Sequence, residues 1–156
     1  MSTPKILGIS GSLRAQATNR KLLREAARLF GDCAYSEADI NFPLYDGDDE
    51  ENTGIPPAVT NLNNQIGAAD AVIISTPEYN KGPSGALKNA LDWVSRVEGN
   101  PWHDKPVAVI SAAAGRAGGE EQVGLPAEEG RDLQHIDGGG KKLTRLQRFN
   151  ERGRID

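Results

Sequence analysis

The chain contains 156 residues, enough for one domain with a buried core, and 26% of them are charged, with a formal net charge of −4. Nucleic acid and anionic membranes attract surfaces with a basic excess, so this mild acidity argues against both as partners. The single cysteine, Cys33, has no partner for an internal disulfide, which favours a reducing cytoplasm as the location.

The first part of the chain predicts a strand, a helix and a second strand. Residues 6–9 form a continuous apolar run, which is too short for a signal peptide or a membrane span but suits a buried strand. Apolar residues over 18–30 repeat at helical spacing, and Gly31 is well suited to end this helix. The polar stretch over 33–40 predicts a weak strand at the edge of a sheet.

An acidic segment and a second helix follow. Residues 42–54 are interpreted as an acidic loop. A metal site there is conceivable, but adjacent carboxylates without histidine or calcium-loop spacing are more typical of a solvated loop. Pro56 and Pro57 open the next helix, whose apolar residues again repeat at helical spacing.

Two further apolar runs, residues 72–74 and 107–110, complete the predicted sheet and flank a helix that Ser84 caps. Continuous apolar runs separated by helices indicate parallel strands that are covered on both faces. The carboxyl ends of such strands lie along one edge of the sheet, where open α/β folds bind ligands. We therefore expect the loops that follow the three apolar runs to form the functional site.

The regular alternation of strands and helices ends near Gly119. Beyond it the apolar residues are sparse, and residues 137–140 form a flexible break. We expect a helix over 120–135 and then a poorly packed tail, so a fifth strand is either short and polar or missing. The predicted organisation is a core over residues 1–119 and an atypical C-terminal segment over 120–156, which is part of the same domain or partly disordered.

The loop after the first strand suits a phosphate group. Gly11 lets the backbone approach an oxyanion closely, and the Ser12 hydroxyl and the following helix N-terminus can donate hydrogen bonds to it. Arg14 adds a charge-assisted contact. Thr18 and Asn19 could instead cap the helix, but a cap alone does not require Gly-Ser and an arginine before it. The loop lacks the GxGxxG and P-loop patterns, so it suits a terminal monophosphate.

The other two loops suit a planar ring. Two prolines and a glycine fix the course of residues 76–83, with Tyr79 and Asn80 at the tip, where they can meet a ring edge. The glycines of residues 111–119 leave backbone N–H groups available to a heterocycle. A helix-entry turn and a plain strand-to-helix turn are the respective alternatives. The chain has no zinc pattern and no Gly-x-Ser-x-Gly elbow, which argues against metal hydrolysis and acyl transfer.

Together these segments are similar to the NADPH-dependent FMN reductase family, which is flavodoxin-like and includes quinone, azo-dye and chromate reductases. The motifs that carry the resemblance occur in the family's order at residues 11–14 with 18–20, 77–80, 85–93 and 111–119. The match covers roughly residues 4–119, with Thr18 where serine is more usual. The resemblance implies an α/β, flavodoxin-like, doubly wound parallel sheet of order 2-1-3-4-5. The atypical tail leaves its fifth strand open.

The resemblance also implies which residues bind the cofactor FMN. They fall into three groups, which contact the phosphate, the flavin ring with its ribityl chain, and the pyrimidine side of the ring. In that order they are Ser12, Arg14, Thr18 and Asn19; Pro77, Glu78, Tyr79 and Asn80; and Ser111 and Gly115. No side chain is needed as a catalytic acid or base, because the chemistry takes place on the flavin.

The implied function is that of an FMN-dependent oxidoreductase, with NADPH or NADH as the hydride donor. Its acceptor would be a quinone-like, azo or other small molecule, or free flavin. Family members commonly form homodimers or homotetramers through the helix that includes residues 87–93. Two alternatives stay open: a flavodoxin-type electron carrier, which the acidic residues around Asp48 would suit, and a flavin-binding domain impaired by its altered tail.

Overall fold

The computed structural model describes residues 2–112 and the backbone of residues 146–148. These residues contain a central sheet, a small hairpin and four helices. The elements in chain order are β1 (Lys5–Ser10), α1 (Thr18–Phe30), β2 (Ala34–Ala38), α2 (Gly47–Thr53), α3 (Pro57–Ala68), β3 (Ala71–Ser75), β4 (Glu78–Tyr79), β5 (Gly82–Pro83), α4 (Gly85–Val94), β6 (Pro106–Ile110) and β7 (Leu146–Arg148).

Four parallel strands form the sheet in the order β2-β1-β3-β6. This confirms the predicted parallel sheet and the order of its first four strands, with the polar strand β2 at an edge. Beyond β6, the three-residue strand β7 pairs in the antiparallel direction. The position of the fifth strand, which the sequence left open, is therefore taken by a short strand. Gly115 and the helix expected over 120–135 lie outside the described residues.

The side chains of the central strands alternate between two covered faces. On one face, Leu7 and Val72 belong to the larger hydrophobic core together with residues of α3 and α4. On the other face, Ile6 and Ile73 pack with Leu23 of α1. Because successive strand residues point to opposite faces, helices on both sides are needed to bury both sets. The uninterrupted apolar runs therefore correctly predicted a doubly wound arrangement.

The other helices follow local signals in the sequence. α1 covers the predicted residues 18–30, and α3 begins at Pro57, where proline is favoured in the first helical turn. The hydroxyl of Ser84 accepts a hydrogen bond from the N–H of Leu87 (3.2 Å), which confirms it as the cap of α4. Among the described residues, no helix is long and apolar enough to cross a membrane.

The acidic segment contains a helix that the sequence analysis did not predict. α2 begins after Asp46, whose side chain accepts a hydrogen bond from the N–H of Asp48 (2.9 Å). Three acidic residues occupy its first turn, where carboxylates interact favourably with the helix dipole. The prediction of a loop over 42–54 was therefore wrong for residues 47–53. Within the part of the chain that the structure describes, no group of three or more His, Cys, Asp or Glu side chains could hold a metal ion.

Candidate functional site

The candidate site is the edge of the sheet at which β1, β3 and β6 end. In the strand register, Ser10 lies opposite Ser75, and Ser75 lies opposite Ile110. The three strands therefore end at the same level, and their loops begin side by side, as the sequence predicted. We call residues 11–17 the first loop, residues 76–84 the second loop and residues 111–112 the third loop.

Gly11 connects the first loop to the end of β3 and to the second loop. The N–H of Gly11 donates to the carbonyl of Ser75 (2.7 Å), and the Ser84 hydroxyl donates to the carbonyl of Gly11. A Cβ atom on Gly11 would lie 2.6 Å from the Cβ of Thr76 and 2.9 Å from its Cα. Glycine is therefore required at this position by the close approach of Thr76. The sequence analysis did not assign this joining role to Thr76 or Ser84.

The first loop offers donors suited to an anion. Within it, the N–H of Arg14 lies 3.4 Å from the Ser12 hydroxyl oxygen, and Ser12 is half-buried. The exposed Arg14 side chain makes no ion pair within residues 2–112. Ala17 is the N-cap of α1, and no described side chain accepts a hydrogen bond from the helix start. The helix start and the guanidinium are therefore both available to a negatively charged group.

The two residues that open α1 have different surroundings. Thr18 is exposed, whereas Asn19 is 4% exposed. The Asn19 Oδ1 atom accepts hydrogen bonds from the Ser75 hydroxyl and from the N–H of Ala112, both at 2.9 Å. Its Nδ2 atom donates to the carbonyl of Ala112 (3.1 Å). Neither residue caps the helix, so the alternative interpretation of Thr18 and Asn19 as N-caps was wrong.

The second loop is a hairpin, which the sequence analysis did not predict. β4 and β5 pair in the antiparallel direction, and Asn80 (φ 53°) and Lys81 (φ 62°) connect them. Positive φ at both central residues is the requirement of a type I′ hairpin turn, and asparagine adopts it readily. Asn80 was thus the available signal for this turn. Pro77 is buried, Glu78 is half-buried, and Tyr79 is 61% exposed beside the turn.

The third loop is hydrogen-bonded to the second loop and to α1. The Ser111 hydroxyl donates to the carbonyl of Thr76 (2.8 Å), while Ala112 is held by Asn19. The Ser111 hydroxyl, which the family resemblance places beside the flavin, is therefore also part of the contact between loops. Gly115, the other residue implied for that side of the ring, lies outside the described residues.

Charged residues behind the first loop hold α1 against the edge strand β2. The carboxylate of Glu37 pairs with Arg20 (3.3 Å) and with Arg24 (2.6 Å). Beside this group, the Tyr35 hydroxyl is buried near the Glu37 carboxylate, but no described atom meets hydrogen-bond geometry with it. Burial is the main cause that raises the pKa of the Tyr35 phenol above its ordinary value. These contacts fix the helix whose start forms part of the site.

The chain is similar to known proteins over about three quarters of its length. Residues 4–124 match the family model described as NADPH-dependent FMN reductase. The chain is 48% identical over 116 residues to an NAD(P)H-dependent FMN reductase of Pseudomonas aeruginosa, which covers 73% of this chain and 62% of that protein. It is 38% identical over 122 residues to a quinone reductase of Escherichia coli strain K12, which covers 74% of this chain and 63% of that protein.

The structure is also similar to a solved flavoenzyme. The similarity to FerB, an NAD(P)H:(acceptor) oxidoreductase from Paracoccus denitrificans, has a TM-score of 0.64 with 35% sequence identity. It covers 73% of this chain and 63% of FerB. This chain thus spans less than two thirds of the length of each of these three relatives.

Proposed function

Because the chain belongs to the NADPH-dependent FMN reductase family, we propose that it is an FMN-dependent oxidoreductase that uses NADPH or NADH to reduce a small acceptor. The acceptor is a quinone-like, azo or other small compound, or free flavin. When bound, FMN supplies the hydride and electron chemistry, while the residues of this chain bind and orient it. The relatives reported above are named as reductases or oxidoreductases, which favours an enzyme over an electron carrier.

The observation that carries this proposal is the anion-binding character of the first loop, at the edge where three loops meet. Arg14 and the start of α1 provide a positive charge and N–H donors without a described side-chain acceptor. The terminal phosphate of FMN fits this set of donors. We assign Ser12, Arg14 and Thr18 to the phosphate.

The second and third loops are assigned to the flavin ring. The hairpin turn is short, and Tyr79 beside it is exposed on the surface next to the edge of the sheet. The assignment continues the order of the family motifs from the phosphate end to the ring end. The proposed contacts with the ring and the ribityl chain are Pro77, Glu78, Tyr79 and Asn80, with Ser111 and Gly115 at the pyrimidine side of the ring.

We also propose a cytoplasmic location and assembly into dimers or tetramers through the surface beside α4. Leu44, which is 83% exposed, lies next to this helix. The preceding residue, Pro43, is held against α4, because its carbonyl accepts hydrogen bonds from the side chains of Asn89 (2.9 Å) and Trp93 (2.8 Å). Sedimentation of the wild type and of Leu44→Asp tests the assembly, and a variant that sediments like an assembled wild type would argue against this surface.

The absorbance of the protein loaded with FMN tests the proposed activity. We expect the yellow colour to fade when NADPH or NADH is added without oxygen, and to return when a quinone is added. If neither nucleotide bleaches the flavin, the protein is not a reductase of this type. If no FMN stays with the protein after free FMN is removed by gel filtration, the alternative of an impaired flavin site is supported.

The variant Arg14→Ala tests the phosphate site directly. Loss of a charge-assisted hydrogen bond should weaken FMN binding by about tenfold to hundredfold. Arg28→Ala is the matched control, because Arg28 is an exposed arginine at the other end of the same helix, paired with Glu25. Isothermal titration of both variants with FMN should show the loss for Arg14→Ala only. Equal affinities would place the phosphate elsewhere.

A further inference from the structure

The side chain of Asn19 is hydrogen-bonded within the protein through both its amide oxygen and its amide nitrogen. It is buried, and its amide oxygen accepts two hydrogen bonds, from the Ser75 hydroxyl and from the N–H of Ala112. Its amide nitrogen donates a third hydrogen bond, to the carbonyl of Ala112. A phosphate contact by this side chain could use only the second hydrogen of an amide that is buried and already held at both its oxygen and its nitrogen.

One side chain therefore holds both backbone polar groups of Ala112. A two-point contact of this kind fixes the orientation of the backbone, which a single hydrogen bond would leave free to rotate. Ser111 adds a third hydrogen bond, which its hydroxyl donates to the carbonyl of Thr76. The direction in which the chain leaves β6 is thus set by α1 and by the second loop together.

We propose that Asn19 is a positioning residue that sets the third loop, and not a phosphate ligand as the family resemblance implies. This inference rests on the proposed function, in which the third loop borders the pyrimidine side of the ring. The backbone N–H of Asn19 remains at the start of α1, where it can still serve the phosphate. Asn19 thereby links the phosphate end of the site to the ring end.

Riboflavin separates the two roles, because it contains the ring and the ribityl chain of FMN but lacks the phosphate. Asn19→Ala should weaken the binding of FMN and of riboflavin by the same factor, about tenfold, since the third loop is displaced for both. Arg14→Ala should weaken FMN alone. Both affinities are measured by quenching of flavin fluorescence, at a temperature where circular dichroism shows each variant to be folded.

The visible absorbance of bound FMN at saturation gives a second measurement. The wavelength of the absorption maximum should shift in Asn19→Ala, because the surroundings of the ring change. The same wavelength should stay unchanged in Arg14→Ala. This spectrum also decides the question if riboflavin binds too weakly to be titrated. Should Asn19→Ala fail to fold, Ser75→Ala removes only one of the three hydrogen bonds and provides the same comparison, with a smaller common factor.

The outcomes distinguish this inference from the proposed function. Loss of FMN binding with unchanged riboflavin binding and an unchanged spectrum would make Asn19 a phosphate ligand and overturn the inference. Unchanged affinity for both flavins would overturn it as well. A wild-type protein that binds neither flavin would overturn the proposed function and this inference together.

Discussion

Replacing Gly11 by alanine tests the contact between the first and second loops. The added methyl group would lie 2.6 Å from the Cβ and 2.9 Å from the Cα of Thr76. Carbon atoms pack comfortably at roughly 3.5–4.0 Å. Thr76 is 2% exposed, and its Cα atom belongs to the backbone, so the contact is relieved only if one of the loops moves.

The expected cost follows from these contacts. Overpacking of a buried position costs about 1–3 kcal/mol. A shift of Gly11 also weakens its hydrogen bonds with Ser75 and Ser84, which contribute about 1 kcal/mol each. Alanine restricts the unfolded chain, which offsets about 0.4–1 kcal/mol. We expect the free energy of unfolding to fall by about 2 kcal/mol.

Urea unfolding without flavin, followed by the fluorescence of the buried residues Trp93 and Trp102, measures this change. With a slope of about 2 kcal/mol per molar urea, the midpoint should fall by about 1 M. Gly67→Ala is the matched control, because apart from its chain neighbours and the local backbone of α3, no described atom lies within 4 Å of its added Cβ. The control should be as stable as the wild type or slightly more so. A midpoint for Gly11→Ala at or above that of the wild type would refute the close contact.

Two further predictions concern stability and pH. Tyr35→Phe removes a buried hydroxyl without a partner among the described residues, so thermal unfolding should show equal or higher stability, by up to about 1 kcal/mol, with exposed Tyr79→Phe as a neutral control. Because burial raises the pKa of Tyr35, the unfolded state loses the phenol proton first, and the wild type should lose more stability above about pH 10 than the variant; equal losses would contradict this. The hydrogen bond from Arg96 lowers the pKa of Glu50, so this carboxylate stabilises the fold at neutral pH and the contribution is lost as the pH falls below about 4.5. The melting temperatures of wild type and Glu50→Gln should therefore converge in acid, and a constant difference would argue against the pair.

Much of the fold was predictable because its signals are local. The apolar repeat of α1 and the glycine that follows it act within a few turns of one helix. Ser84 caps α4 through a partner three residues away. The meeting of the three loops also followed from the sequence, because parallel strands place their carboxyl ends at one edge. A local signal for α2 was present as well, because an aspartate at its N-cap is followed by three acidic residues in its first turn.

The residues that join the loops depended on the tertiary structure. Asn19 finds its partners 56 and 93 residues away, and Ser111 finds its partner 35 residues away. The sequence around Asn19 contains no local pattern that indicates such distant partners. The hydrogen bonds of its side chain depend on which backbone groups the fold brings to about 3 Å. The sequence by itself therefore determined the four parallel strands, helices α1, α3 and α4, and the edge at which the three loops meet. Only the folded chain decided which polar side chains at that edge are exposed for a ligand and which hold the loops together.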